Sequence, residues 1–352
     1  MSRFRTSHLA LMAVLAVAAA LPAAAAVPAA AATTYTITDL GSLGFGESEP
    51  SAINATGQVT GYSYLAKLIP TPECPPVYGN TKKTCVEHPW HAFSYSNGQM
   101  TDLGTVGGGD FSEGSAINRS GWVAGVSATK NGGGDAFLWN GQKMLDLGQQ
   151  APLNGSNSEA NGINDSGQVV GQYGTNPGHA FLYSSGTLAG LPEPGFTGGS
   201  GCAASAINNT GQIAGACTDT SGNYHLVLWQ KGAVTDLGTL AGTPGTVPAF
   251  QQAISVNNTG QIAGTVFSNG GTEGFLYSNG TLTSLGSFTP AAINDNGVMV
   301  GGSSIDSGGT ITNLNTLIPA GSGYQINDAT AINDNGQIVA TTNRGAVLLT
   351  PA

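Results

Sequence analysis

The sequence predicts an all-β protein, a seven-bladed β-propeller closed by pairing its N- and C-terminal strands. Three observations predict it. One turn motif recurs seven times, strand-like segments between the copies are spaced for four-stranded blades, and the two chain ends supply the halves of one missing unit.

The first segment reads as an address. Arg3, Arg5 and His8 precede an apolar run from Leu9 to Leu21, then Pro22 and an alanine tract. That order is a secretory signal peptide. Small-residue cleavage sites end at Ala26 and Ala32, and strand-like sequence from Tyr35 favours the second, giving a leader over 1–32 and a single repeat domain over 33–352. The run is shorter than the ~18 apolar residues of a membrane span. The mature chain is therefore expected to be exported, secreted or periplasmic, monomeric and not inserted in a membrane.

Composition agrees with turns and strands. The chain holds 54 Gly, and only 9% of its residues are charged. Ten Lys and Arg stand against twenty Asp and Glu, which leaves no basic stripe for a nucleic acid.

The repeated turn places Asn at its first and Gly at its fourth position: Asn54/Gly57, Asn118/Gly121, Asn164/Gly167, Asn208/Gly211, Asn257/Gly260, Asn294/Gly297 and Asn333/Gly336. Asn bonds its own backbone there, and Gly accepts a left-handed conformation. Aliphatic residues flank each turn, so the element is a β-hairpin. Four residues past each turn glycine stand Gly61, Gly125, Gly171, Gly215, Gly264, Gly301 and Ala340. A strand glycine marks close approach of another backbone. Neighbouring blades crowding the axis would supply it, and a local bulge reads the same way.

Two further strands follow each hairpin. The first is His91 to Tyr95, echoed by Asp135 to Trp139, His179 to Tyr183, His225 to Trp229 and Glu273 to Tyr277; both of its faces are apolar, as in a sheet covered on both sides. The second contains Asp102-Leu103, Asp146-Leu147, Asp236-Leu237, Ser284-Leu285 and Asn313-Leu314. Turn asparagines are 64, 46, 44, 49, 37 and 39 residues apart, near the 40–50 of a four-stranded blade. In the sixth unit Ser303 to Ser307 replaces the aromatic strand, which predicts a three-stranded blade there. Tyr35 to Leu40 matches the last strand of a unit and Gly345 to Leu349 the strand before it, so joining them seals the ring and removes two open edges.

Cys74, Cys85, Cys202 and Cys217 are an even set, read as disulfides in an exported protein. Of three pairings, Cys202–Cys217 across the fourth hairpin and Cys74–Cys85 within a proline-rich loop are favoured. Zinc is disfavoured, since none of these cysteines forms a closely spaced thiol pair.

The strings His-Ala-Phe-Leu-Tyr, Leu-Gly-Thr-Leu and Ala-Ile-Asn-Asp-Asn-Gly-Gln-Ile-Val, with Leu314 to Pro319, resemble the bacterial HAF family of extracellular repeat proteins over nearly the whole mature chain. The resemblance implies export and a repeat β fold; it brings no activity or catalytic residues.

No catalytic constellation stands out, and no cofactor or metal is expected. His91, His179, His225, Asp135 and Glu273 share one strand position, and Asp39, Asp102, Asp146 and Asp236 another. Both series read as solvated strand ends, because groups spread around a ring stand too far apart to share an ion. A sialidase would need an arginine cluster, and the mature chain has only Arg119 and Arg344. The best place for a specific site is the insertion from Ala66 to Trp90, with five prolines and binding candidates Tyr78, Lys82, Lys83, His88, Trp90 and His91, since binding residues concentrate in long loops on rigid scaffolds. The expected function is an extracellular, non-catalytic binding scaffold with glycan or cell-envelope partners. The alternative is a polysaccharide lyase or glycoside hydrolase using Glu87, His88, His91 and Tyr95.

Overall fold

A computed structural model describes residues 33–67, 69–71, 85–130, 133–174, 178–196, 201–239, 249–268 and 271–352. Seven four-stranded antiparallel sheets follow one another along residues Thr33–Ala352. Their inner strands are Gly44–Ile53, Ser112–Ile117, Ser158–Ile163, Cys202–Ile207, Ala249–Val256, Ala292–Ile293 and Ile326–Ile332. Each inner strand touches the next, and the last touches the first. The result is a closed seven-bladed propeller.

Closure comes from the chain ends. Tyr35–Asp39 pairs with Gly345–Pro351 in the register Tyr35↔Pro351 to Asp39↔Val347, which completes the seventh blade. Val347 and Leu349 are fully buried. The sixth blade corrects the three-strand expectation. It holds Ala292–Ile293, Met299–Gly301, Ser304–Ser307 and Thr310–Asn313, and the strand without aromatics is short but paired on both sides. Backbone ladders, which do not depend on side-chain type, carry it.

The core lies between blades. Phe93, Phe137, Phe181 and Phe275 occupy equivalent third-strand positions, all fully buried, with Val227 and Val347 in the same place in the fourth and seventh blades. Each phenylalanine lies opposite a strand glycine, as in Gly61↔Phe93 and Gly171↔Phe181.

These glycines answer to a bulge rather than to the neighbouring blade. Inner strands shift register by one residue at Pro50/Ala52, Gly114/Ala116, Ala160/Gly162, Ala204/Ala206 and Ala329/Ala331. A Cβ on Gly61, Gly125 or Gly171 would overlap the carbonyl oxygen of Glu49, Glu113 or Glu159 in the same blade. A bulge bends its strand and increases its twist.

Cys202 and Cys217 stand directly opposite in the fourth hairpin and form a disulfide. The Cys74–Cys85 pairing falls outside the described residues, because Cys74 does. Among the described residues no helix is long and apolar enough to cross a membrane.

Candidate functional site

The turn asparagines tie the inner strands into a ring. Asn54, Asn118, Asn164, Asn208, Asn257, Asn294 and Asn333 are all buried, at 3–5% exposure. Each Oδ1 accepts backbone N–H groups two and four residues on, as Asn208 does from Thr210 (3.1 Å) and Gln212 (2.9 Å). Each Nδ2 crosses to the next blade: Asn54 donates to the carbonyl of Asn118 (2.8 Å), Asn208 to that of Asn257 (2.8 Å), and Asn333 closes the circle on Asn54 (3.0 Å). The seven glycines at the fourth position all have φ between +72° and +84°. This motif therefore encodes both a hairpin and the joint between blades.

A second, partial circle joins the residues that follow these asparagines. Asp165, Asn209, Asn258, Asp295 and Asp334 each accept the backbone N–H of the equivalent residue one blade earlier, at 2.7–2.9 Å. The two circles and a floor of Ile53, Ile117, Ile163, Ile207, Val256, Ile293 and Ile332 bound a shallow, open depression of about 190 Å³ on the axis. Its polar groups are largely spent on one another.

At the other end of the inner strands the chemistry is acidic and aromatic. Glu49, Glu113, Glu159 and Asp328 occupy equivalent positions, five residues before a turn asparagine, on four successive blades. Burial pushes the carboxyls of Glu49, Glu113 and Glu159 above the usual range; charge from Glu47 and Asp328 adds to the effect at Glu49, and from Glu159 and Glu49 at Glu113. Beside them the rings of Tyr62, Tyr64, Trp90 and Phe111 gather. Trp90 stacks on Phe111 at 5.3 Å and 20°, and meets Tyr64 at 6.0 Å and Tyr62 at 6.3 Å. The Tyr62 hydroxyl pKa is pushed up to about 12 by burial and then by Glu49, Tyr64 and Glu113, which places that phenol among the carboxylates.

The insertion candidates divide. Trp90 belongs to the aromatic group. His88 lies apart from that stack, face to face with Phe45, with Nδ1 2.7 Å from the Leu65 carbonyl. His91 turns to Asp102 (2.8 Å) in the same blade. Tyr78, Lys82 and Lys83 lie outside the described residues, and of Glu87 the backbone is described, paired with Ile69. Tyr95 is a buried core residue.

The two ionisable series predicted separately prove to be partners. His91 pairs with Asp102, His225 with Asp236 (2.9 Å) and Asp219 (3.5 Å), His179 with Glu193 (2.8 Å), and Glu273 with Ser284. Asp135 accepts from Gln149 Nε2 at 2.7 Å, and its charge adds to burial in raising Asp146. Each pair stays within its blade region. Asp39, Asp102, Asp236 and Ser284 also accept the N–H two residues on. Among the described residues no cluster of three or more His, Cys, Asp or Glu could hold a metal.

Sequence reading missed Glu49, Glu113, Tyr62, Tyr64 and Phe111 as a group. The spacing of the carboxylates before each turn asparagine was the available signal; the aromatics meet only once two blades are in place.

No family model matches the chain, and no curated protein does. Among solved structures, YCF48 bound to D1 peptide is similar with a TM-score of 0.51 at 12% identity, over 92% of this chain and 99% of that one. The likeness is one of fold. TolB from Acinetobacter baumannii is similar at 12% identity over 75% of this chain (TM-score 0.41), and the β-propeller domain of the Trilobed protease from Pyrococcus furiosus at 9% over 53% (TM-score 0.33). The chain spans 60% of the length of TolB and 53% of that of the protease domain.

Proposed function

We propose that the protein is an exported, non-catalytic binding propeller of the HAF-repeat type, and that it takes glycans of the cell envelope or surroundings on the end bearing Trp90. The observation that carries this is the meeting of Tyr62, Tyr64, Trp90 and Phe111 beside Glu49 and Glu113. Aromatic faces accept the apolar face of a sugar ring, and carboxylates accept its hydroxyls. The carboxylates also disfavour acidic polymers, so neutral or amino sugars are the expected ligands. His91, next to Trp90, is committed to Asp102, which favours recognition over acid–base chemistry. The disulfide and the leader-like first 32 residues suit an oxidising compartment.

A second reading has one specific support. Glu49 and Glu113 lie near each other with carboxyls raised, as general acids of glycoside-cleaving sites are. A glycan array run beside a turnover assay on the same polysaccharides separates the two. Binding that is lost in Trp90→Ala, with no product formed, supports the scaffold. Product formation that disappears in Glu113→Gln supports the enzyme, and no binding to any neutral or amino sugar overturns both.

A further inference from the structure

Five of the seven joints between blades are filled at the turn end in the same manner. The side chain just after one blade's turn glycine leans on the turn glycine of the next. A Cβ on Gly57 would stand 3.1 Å from Gln337, on Gly121 3.0 Å from Gln58, on Gly167 2.8 Å from Trp122, on Gly260 3.3 Å from Gln212 and on Gly297 3.4 Å from Gln261; at Gly336 the nearest atom is instead Pro351 of the same blade, at 3.4 Å. At Gly211, between the third and fourth blades, no described atom lies within 4 Å. Gln168 accepts the same bond from its own turn asparagine, Asn164 Nδ2 to Oε1 at 2.8 Å, as the glutamines that fill their joints, yet it does not reach Gly211. The unfilled joint is a pocket of about 360 Å³, bounded by Leu182, Leu191, Ile213 and Trp229 and rimmed by Gln168 and Lys231, among others. That volume lies at the small end of the ~300–1,000 Å³ range of ligand pockets.

Among the described residues Lys231 is the only charged one lining it, and its side chain is unusual for its backbone conformation. It sits at φ +52°, in the left-handed region, in the turn that joins the two outer strands of its blade. The equivalent positions in the first, third and fifth blades are Asn97, Ser185 and Asn279, at φ 52°, 51° and 51°. Asparagine tolerates that region, and a long side chain gains nothing from it. Lys231 also forms no ion pair among the described residues. Turn chemistry thus explains the asparagines, whereas Ser185 and Lys231 take the same conformation without that advantage, and Lys231 alone of the four carries a long charged side chain. A long charged side chain kept in a conformation that the equivalent turns give to short polar residues points to use.

We infer that this pocket binds a single carboxylate-bearing sugar, a hexuronate, with Lys231 meeting the carboxylate. The apolar wall takes the ring, and Gln168, Asn209, Thr210 and Gln230 on the rim offer hydrogen bonds to its hydroxyls. The site lies at the turn end, away from the Trp90 face, and takes ligands of opposite charge preference; it stands whether or not that face binds glycans.

The test uses the mature protein, titrated by calorimetry or ligand-observed NMR with D-glucuronate, D-glucose and D-glucosamine. Glucuronate should bind at least tenfold more tightly than either other sugar. Lys231→Asn, which installs the residue favoured in the other turns, should lose at least tenfold in glucuronate affinity while melting at or above the wild-type temperature. Failure of wild type to bind glucuronate, equal binding of the three sugars, or unchanged affinity in Lys231→Asn would each overturn the assignment.

Discussion

Removing one amide from the asparagine ring should cost as much as a core cavity, although no apolar surface is lost. Asn208 is 4% exposed. Its Nδ2 donates to Asn257 O and to Gln212 Oε1, both at 2.8 Å, and its Oδ1 accepts from the N–H groups of Thr210 and Gln212. In Asn208→Ala the exposed Thr210 N–H can turn to water. The Asn257 carbonyl and the Gln212 N–H lie deeper in the joint, and each group left unsatisfied costs about 1–3 kcal/mol. The expected loss is about 2–6 kcal/mol against a whole-domain stability of about 5–15 kcal/mol. Asn208→Asp sharpens the test, because it keeps the acceptor and puts a carboxylate oxygen where an N–H faced the Asn257 carbonyl. The folded state then favours the protonated acid, which can still donate, so the folded pKa lies above the unfolded value. The penalty relative to wild type should be small below about pH 4, the unfolded carboxyl range, and grow as pH rises through the folded pKa. Urea unfolding of wild type, both variants and exposed Thr283→Ala across that range measures it. The reasoning fails if Asn208→Ala costs no more than Thr283→Ala, or if the Asp variant tracks wild type at every pH.

Two further outcomes follow from other parts of the ring. Gly171→Ala should lose at least the ~3 kcal/mol at the top of the overpacking range, because the bulged Glu159 carbonyl stands where the methyl must go. Gly211→Ala, with open space around it, should lose only the ~1–2 kcal/mol of left-handed strain; equal losses in denaturant titrations would remove the bulge explanation. At Glu113 the raised carboxyl pKa means that ionisation opposes folding, so its contribution is most favourable in acid and falls as pH rises. Glu113→Gln should therefore raise the melting temperature near pH 7 and not near pH 3.5, as scanning calorimetry at the two values would show.

Much of this architecture was legible because it is local. Asn and Gly at fixed turn positions set the hairpin with no help from the rest of the chain, and Cys202 and Cys217 flank one such turn at matching distances. Ring closure was legible for a different reason: Tyr35–Asp39 has no hairpin ahead of it, and Gly345–Pro351, paired on one side with Ile338–Thr342, has no following strand for its other side. The sixth blade misled because Ser304–Ser307 has no apolar alternation to betray a strand, although its backbone pairs on both sides. The strand glycines were seen, but not which backbone approaches them. A bulge leaves no mark on composition. Of the candidate site, Trp90 stood out because it ends the insertion, whereas Phe111 joins it only through the packing of the second blade on the first. The two ionisable series were each noticed at one strand position, and the constant 11-residue offset from His91 to Asp102, His225 to Asp236 and Glu273 to Ser284 was the unused sign that they pair.

The claim that the Trp90 end is the binding surface is tested most directly by hydrogen–deuterium exchange of the intact protein with and without a neutral or amino-sugar oligosaccharide that it retains. Bound ligand should slow exchange in the strands carrying Glu49, Tyr62 and Tyr64, in the segment from His88 to Trp90 and in that from Phe111 to Glu113, and leave the turns at Asn208 and Asn257 unchanged. Protection centred on the turn end, or none in these segments at saturating ligand, would contradict the account.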